Sequence, residues 1–480
     1  MRRVADAPER RFPSSWPRVG PTSGAGIGER HRRCRVEEAT LILIAARSNP
    51  RVFLSAGEAS GDHYGAQIVA GLRDRLPGAS FSGLGGAEME AAGQRRVVRA
   101  EDVAHMGITE VLGHMPYIFT QYRKLVGSLQ SDRPDVAVLI DFPDVNFRLA
   151  KHCNRLGIPV VWFVSPQLWA WKRQRLRWVR KRVAKMLAIF PFEEPFYRNR
   201  GVDAEFVGHP LAALPLPSVS REEYAAEHGL DPTKQWIALL PGSRWKQIKS
   251  NLLPMLGLVV AAATREDADL YDVLRVARPS ESALDFEAYE FIVPVASTIS
   301  TVRLEGLIDK LSLRWSWVSQ STTSDLHIRL VPDARIALHH SRAAIVASGT
   351  ATVQALTIGK PFVVVYRVSA LTFALAKRLI RYPAEIGDRG KLQDADGNLP
   401  IAMPNLISGR RIVPELINRR FTAQNLAAAL RPLLEDTPAR AQMIAELAEA
   451  RAKLLPAAAN PIAAVCDAIE ALLDDSLGRR

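Results

Sequence analysis

The sequence predicts an α/β protein built as two Rossmann-like halves that face each other across a cleft. Short apolar, β-rich runs alternate with stretches of helical period, the pattern of βαβ units and a parallel sheet. The scheme runs through the chain twice, and 480 residues exceed what one ordinary core organises. A proline-rich stretch between the halves, "VGHPLAALPLPSVS" (Val207 to Ser220), reads as an interdomain linker.

In the first half, "RVFLSA" from Arg51 is a buried strand and Asp62 to Leu76 a helix. "ASFSGLGG" is a second strand with its turn, and "DVAVLID" (Asp135 to Asp141) a third, leading into a helix over Val145 to Leu156. "IPVVWFVSP" (Ile158 to Pro166) is another strand. In the second half, "QWIALLPGSR" is a strand ending in a glycine turn, and Arg342 to Tyr366 reads strand, loop, helix, strand. Thr264 to Glu290, Lys310 to Asp325 and Gly387 to Pro400 fit the scheme poorly and read as surface insertions, the last as an exposed turn. The expected division is a basic disordered extension over 1–49, an acceptor-side domain over 50–210, a second domain over 211–400 and closing helices over 401–480. The extension is rich in Arg, Pro, Gly and Ser without amphipathic period, a composition that buries too little apolar surface to order itself. A wrongly chosen upstream start would read the same way.

The net charge is +13 with 48% hydrophobic residues, which fits a globular protein and favours an anionic partner: nucleic acid, an acidic membrane or a phosphorylated substrate. Cys34, Cys153 and Cys466 are isolated, so a reducing compartment with no structural metal is expected. No apolar run reaches the roughly 18 residues that span a bilayer. "LILIAA" is too short, and no cleavage site follows it. A cytoplasmic location is the expectation.

The candidate chemistry divides between the halves. In the second, "LLPGSR" and "ASGTATVQA" both follow strands. Gly242 and Gly349 allow close backbone approach, the helix start at Thr350 offers free N–H groups, and Arg244 adds a charge-assisted contact. Together they look like a diphosphate cradle, although ordinary strand-to-helix turns use the same residues for capping. Neither GxGxxG nor a Walker A lysine follows the first strand, so a dinucleotide dehydrogenase and a P-loop NTPase are both disfavoured. In the first half, carboxylates gather at strand ends: Glu58 and Asp62 in "GEASGD", Asp141 and Asp144 in "IDFPDVN". Carboxylates at a cleft suit hydroxyl recognition or proton abstraction; Asp144 is the better placed of its pair to cap a helix. His63 and His209 are candidates for orientation or phosphate contact. The run "WAWKRQRLRWVRKRVAK" (Trp169 to Lys185) could bind RNA, anionic headgroups or a phosphorylated sugar. "ITEVLGHMPYIF" clusters Val111, Leu112, Met115, Ile118 and Phe119. Exposed, they would form a membrane-surface patch; buried, an ordinary helix face.

"SAGEASGDHYGA", "MGITEVLG", "IDFPDVNFRLA", "SPQLWAWKRQR", "FPFEEPFY", "VGHPL", "LLPGSR", "ASGTATVQAL" and "MPNLISGR" occur in that order. With these motifs the sequence, from about Arg51 to the C-terminal helices, strongly resembles the lipid-A-disaccharide synthases, inverting glycosyltransferases of the GT-B fold. The resemblance implies condensation of UDP-2,3-diacylglucosamine with 2,3-diacylglucosamine 1-phosphate to lipid A disaccharide 1-phosphate and UDP. It implies peripheral attachment to the cytoplasmic face of the inner membrane, no nucleic-acid partner, no cofactor and no bound divalent metal, and leaves room for a homodimer. It makes Asp141 the general base for the acceptor hydroxyl, with Glu58 and Glu110 as further catalytic carboxylates. Ser60, Asp62 and His63 fall beside the acceptor, and Arg244, Ser348, Gly349, Thr350 and Thr352 on the UDP side. Asn405 matches the asparagine of the family's "PNL". Gln354 stands where the family usually has a Glu facing the ribose hydroxyls, so that contact loses its charge assistance.

Two other readings compete. A different GT-B UDP-sugar enzyme or an epimerase would show its own His and Glu motifs in the donor half, and none is found. A non-catalytic lipid- or RNA-binding protein on the same frame is suggested by Gln354 and the basic run, and opposed by intact Asp141 and Arg244.

Overall fold

The computed structural model describes residues 49–104, 108–263, 288–296, 299–319, 328–456 and 460–477. Nearly all of the expected extension, Cys34 and most of Thr264 to Glu290 lie outside the described residues.

Two parallel sheets form the frame. The first contains β1 (Arg51–Ala56), β2 (Ser80–Gly85), β3 (Arg95–Arg99), β4 (Val136–Ile140), β5 (Val160–Phe163), β6 (Lys185–Ala188) and β7 (Ala204–Phe206), in the order 3-2-1-4-5-6-7. The second contains β8 (Gln235–Leu240), β9 (Tyr289–Pro294), β10 (Ile328–Val331), β11 (Ala343–Ala347), β12 (Phe362–Tyr366) and β13 (Glu415–Ile417), in the order 10-9-8-11-12-13. Both orders reverse direction beside the first strand of their domain, the switch point at which open α/β sheets bind ligands. The central strands are apolar on both faces: every residue of β4 and β5 is buried, as helices covering both sides require.

The helices that matter for the site are α1 (Ala59–Arg75), α2 (Ala87–Ala92), α3 (Ile108–Asp132), α4 (Pro143–Arg155), α5 (Trp245–Ala263), α6 (Thr301–Ser319), α7 (Thr350–Ile358), α8 (Ala370–Leu379) and α9 (Pro461–Leu477). α1 begins three residues before the expected start, so Ser60, Asp62 and His63 sit on helix and Glu58 is its N-cap residue. α9 packs back onto the first domain. The Arg75 guanidinium donates to Asp467 at 2.5 Å, and the buried Cys466 Sγ lies 3.9 Å from the Ile68 carbonyl.

Three expectations change. The stretch Lys310 to Asp325 is not irregular from its start, because α6 continues to Ser319. Gly387 to Pro400 is largely exposed but not a single turn: Arg389–Leu392 is a short helix, and beyond it the Asp394 carboxylate accepts from the Asp396 and Asn398 N–H groups. At its root Leu392 is fully buried, and the Arg411 guanidinium donates to the Leu392 and Asn398 carbonyls. The linker is also less free than its prolines suggest. His209 is buried, its N–H donates to the Leu454 carbonyl, and Pro210–Ala213 is a short helix. Burial pushes the His209 imidazole down to about 3, so it is neutral and structural rather than a phosphate contact.

The β1–β2 pair depends on a close approach. Gly83 has φ 142°, and a Cβ there would lie 2.0 Å from the Leu54 carbonyl oxygen. Gly83→Ala should therefore destabilise the first domain by about 3 kcal/mol, read as a lower urea midpoint. An unchanged midpoint would mean that the sheet edge gives way freely.

Candidate active site

The site starts where two neighbouring strands end. β1 and β4 are parallel partners with Ala56 opposite Ile140, so the turns Gly57–Glu58 and Asp141–Phe142 lie side by side at the carboxyl edge. Asp141 and Phe142 both adopt φ 44°, a left-handed conformation costly for residues with a Cβ. What holds them there is Asn146, which is completely buried in the first turns of α4. Its side-chain amide donates to the carbonyls of Asp141 at 2.7 Å, Ile140 at 3.2 Å and Ser55 at 3.4 Å. Its Oδ1 accepts from Ser55 Oγ at 2.7 Å. One side chain thus ties the ends of both strands together. Gly57 completes the arrangement, since a Cβ there would sit 2.4 Å from the Phe142 ring. Sequence reasoning passed over Asn146, Ser55 and Gly57. The signal was the last residue of "IDFPDVN", an asparagine on the first turns of a helix behind a strand.

Asp141 is half-buried. Burial first, then the negative charge of Glu58, pushes its carboxyl up to about 6, against the opposing effects of the Phe142 N–H and of Arg244. A carboxyl so placed changes protonation near neutral pH, as a general base requires. The same group makes Tyr64 harder to ionise: burial, with the charge of Asp141, raises its phenol to about 12.

Glu58 reaches the other domain. Its Oε1 lies 3.4 Å from Arg244 Nη2, so one ion pair spans the cleft just beside Asp141. Arg244 follows β8 in the "PGSR" turn, and β8 pairs with β11, placing "ASGT" alongside. Gln247, not singled out in the sequence, lies against Gly242 and donates to the Ser348 carbonyl at 3.4 Å. It binds the two glycine turns to each other. Gly349, at φ 146°, is the N-cap of α7, and both it and Thr350 are exposed. The helix start therefore presents free N–H groups to the cleft, a geometry suited to phosphate oxygens. Ser348 donates to the Ile401 carbonyl at 3.3 Å, and Thr352, fully buried, turns its hydroxyl back onto the Gly349 carbonyl at 2.8 Å. Thr352 thus shapes the turn from inside. Gln354 is half-buried on the first turns of α7.

Several other expected site residues are occupied elsewhere. The Asp62 carboxylate, buried, accepts from the backbone N–H groups of Gly86, Glu88 and Met89 at 2.7, 3.1 and 3.2 Å. It caps α2 and shows no free face to a sugar. His63 lies 2.7 Å from Glu88 Oε2 through Nδ1 and 2.9 Å from Gln67 through Nε2, out on the surface. Asn405 is fully buried and saturated: it donates to the Val413 carbonyl and the Glu415 carboxylate and accepts from the Ile412 and Val413 N–H groups. An amide has two donor hydrogens and two lone pairs, and all are used, so Asn405 organises its own loop. Ser60 is half-buried on the first turn of α1. Glu110, Val111, Leu112 and Met115 fall on α3, but their side chains lie outside the described residues. Ile118 is half-buried, while Phe119 and Tyr117 are exposed.

The "SPQLWAW" loop is fastened from below by Glu193, a buried carboxylate from "FPFEEPFY". It accepts from Ser165 Oγ at 2.6 Å, Trp169 Nε1 at 3.0 Å and the Phe190 N–H at 3.1 Å. Burial pushes it up to about 7 despite these bonds. The basic run is therefore not one exposed stripe: Trp169 is core, while Trp171 is exposed beneath Lys172.

The family model described as lipid-A-disaccharide synthetase matches residues 52–295 and 314–460. The chain belongs to the lipid-A-disaccharide synthase family. It is 47% identical to the lipid-A-disaccharide synthase of Acidobacterium capsulatum over 420 residues, covering 87% of this chain and 95% of that one. It is 43% identical to that of Koribacter versatilis over 415 residues, covering 86% and 96%. Among solved structures, the S. aureus MnaA–UDP complex superposes with TM-score 0.54 at 12% identity, over 88% of this chain and 97% of that chain. The glycosyltransferase of kitacinnamycin gives 0.50 at 13% identity, over 88% and 99%. At such identities the structures speak for fold alone, and the fold is GT-B, as the sequence led us to expect. The enzyme is a glycosyltransferase of lipid A disaccharide synthesis.

The electrostatics of the cleft give a direct prediction. In a carboxyl-labelled NMR titration, Asp141 should titrate near pH 6. Glu58→Gln should move that midpoint down by removing a negative charge, and Arg244→Gln should move it up by removing a positive one. If neither substitution moves it, the three groups are not in electrical contact.

Proposed function

We propose that the donor is UDP-2,3-diacylglucosamine and the acceptor 2,3-diacylglucosamine 1-phosphate, with Asp141 as the base of an inverting transfer. The reading rests on one observation above the rest: a carboxyl pushed up to about 6 sits beside an ion pair that leads across the cleft to two glycine turns. The acceptor 6-hydroxyl attacks the anomeric carbon from the side opposite the diphosphate. As the new C–O bond forms, the hydroxyl proton passes to Asp141, the anomeric C–O bond breaks and UDP leaves with the electron pair. Negative charge then develops on the departing diphosphate, where the N–H groups at Gly349 and Thr350 and the Arg244 guanidinium would stabilise it. To contact a diphosphate, Arg244 exchanges its Glu58 partner for phosphate oxygens. Glu58 is then free to accept a hydroxyl of the acceptor sugar.

Among the described residues no helix is long and apolar enough to cross a membrane. With lipid substrates, the enzyme would instead dock on the cytoplasmic face of the inner membrane. Tyr117 and Phe119, 42% and 57% exposed on α3, are apolar groups of the first domain available for that docking.

Asp141→Asn should lower kcat about 10³-fold with little change in either KM, measured as disaccharide formed from both lipids in mixed micelles. The wild-type kcat/KM should fall below an acid limb near pH 6, because the base works only when ionised. Wild-type turnover by Asp141→Asn would remove Asp141 from this role.

A further inference from the structure

The second domain carries an apolar surface that the reaction does not use. α8 follows β12, and none of its residues is buried. Phe373 and Ala376 on one side of it, and Ile380 just past its end, are half-buried. On the opposite side Leu371, Leu375 and Leu379, spaced by four residues and so aligned on one face, are 81%, 55% and 55% exposed. A helix of a water-facing domain normally turns such a row inward. Here the leucine row is the more exposed face and is left without a partner among the described residues.

The charge on the helix and just past its end has one sign. Lys377 and Arg378 lie on the helix and Arg381 just beyond it, with no acidic residue between Arg367 and Pro383. The end of α8 also meets the first domain. The Arg381 N–H donates to the Ala170 carbonyl at 3.3 Å, and the Arg173 guanidinium donates to the Arg381 carbonyl. The neighbouring Trp171 is 46% exposed, with Lys172 3.9 Å above its ring. The end of the leucine helix and the loop that carries the tryptophan–lysine pair thus meet at Arg381 and Arg173, where Glu385 is the acidic neighbour.

We propose that α8 is an interfacial helix that docks the second domain on an anionic lipid bilayer, with Leu371, Leu375 and Leu379 entering the acyl boundary. Apolar side chains flanked by cations are the chemistry that a negatively charged membrane surface accepts. A second copy of the chain fits less well. Pairing this face with itself about a two-fold axis would set Lys377 and Arg378 against their own like charges. Three leucines are also far less than the roughly 800 Å² per partner that a stable interface buries. Docking through both domains would hold the cleft at a set height above the bilayer. The purpose of the device rests on the proposal that both substrates are lipids, but its test does not.

In flotation with phosphatidylglycerol–phosphatidylethanolamine vesicles, full-length Leu371→Ser/Leu375→Ser/Leu379→Ser should lose at least about tenfold in partition coefficient. Lys377→Gln/Arg378→Gln should lose several-fold on these vesicles and nothing on phosphatidylcholine. The leucine variant should keep wild-type turnover in detergent micelles, where no bilayer is needed. Flotation of the leucine variant equal to wild type would overturn the proposal. So would a wild-type dimer, seen by sedimentation, that the leucine variant converts to monomer, because the row would then be covered by a second copy. If wild type floats as expected but forms no disaccharide, docking stands and the substrate assignment fails.

Discussion

A single buried amide holds the chemistry of this protein in place. Asn146 takes the Ser55 carbonyl of β1, the last carbonyl of β4 and the turn carbonyl of Asp141, with the Ser55 hydroxyl donating back to it. Two consecutive residues in a left-handed conformation would otherwise relax, at a gain of some kcal/mol each. Held there, Asp141 is aimed beside the Glu58 turn and away from ordinary helix capping. The pairing of β1 with β4, the glycine at position 57 and the ring of Phe142 all act through this one geometry. Burial and the Glu58 charge can raise the Asp141 carboxyl only because that geometry brings them to it.

The second domain works on the same plan with different parts. Gln247 joins its two glycine turns, and Thr352 fixes the shape of one of them from inside. The Glu58–Arg244 pair then brings the acidic half and the cationic half of the cleft within reach of each other. Both side chains are substantially exposed, so solvent screens the pair and it adds little to stability. It places charge across the cleft and leaves both partners free to exchange for substrate groups. The domains are held together elsewhere. Arg200 donates to Glu385 at 2.8 Å, the Trp169 and Tyr382 rings lie 5.7 Å apart, and α9 reaches back onto α1.

Much of the fold was legible in the sequence because buried parallel strands write themselves as short apolar runs. β1, β4, β5, β8, β11 and β12 all stand out in this way. β3, β6, β7, β9, β10 and β13 were missed: all but the six-residue β9, whose start was taken into an insertion, are three to five residues long, and several carry charged residues near sheet edges. At the site, Asp141, Glu58, Arg244 and the Gly349 turn were found because charge or glycine at a strand end is visible in one dimension. Asp62 was chosen by the same rule, His63 as its neighbour and Asn405 from the family motif, yet their polar atoms are consumed by other residues. No local pattern reveals that Asp62 will meet the N-terminus of α2, or that four groups of one loop will saturate Asn405.

By itself, then, the sequence determined the fold class, the two-domain division and the family, since these follow from hydrophobic period and from motifs in order. It also determined which groups carry charge at the strand ends. Only the tertiary structure decided which of those groups are free to act. A hydrogen-bonding side chain has a fixed number of donors and acceptors, and whether they are already filled depends on residues brought in from elsewhere in the chain. The same holds for α8, whose leucines the fold leaves facing outward.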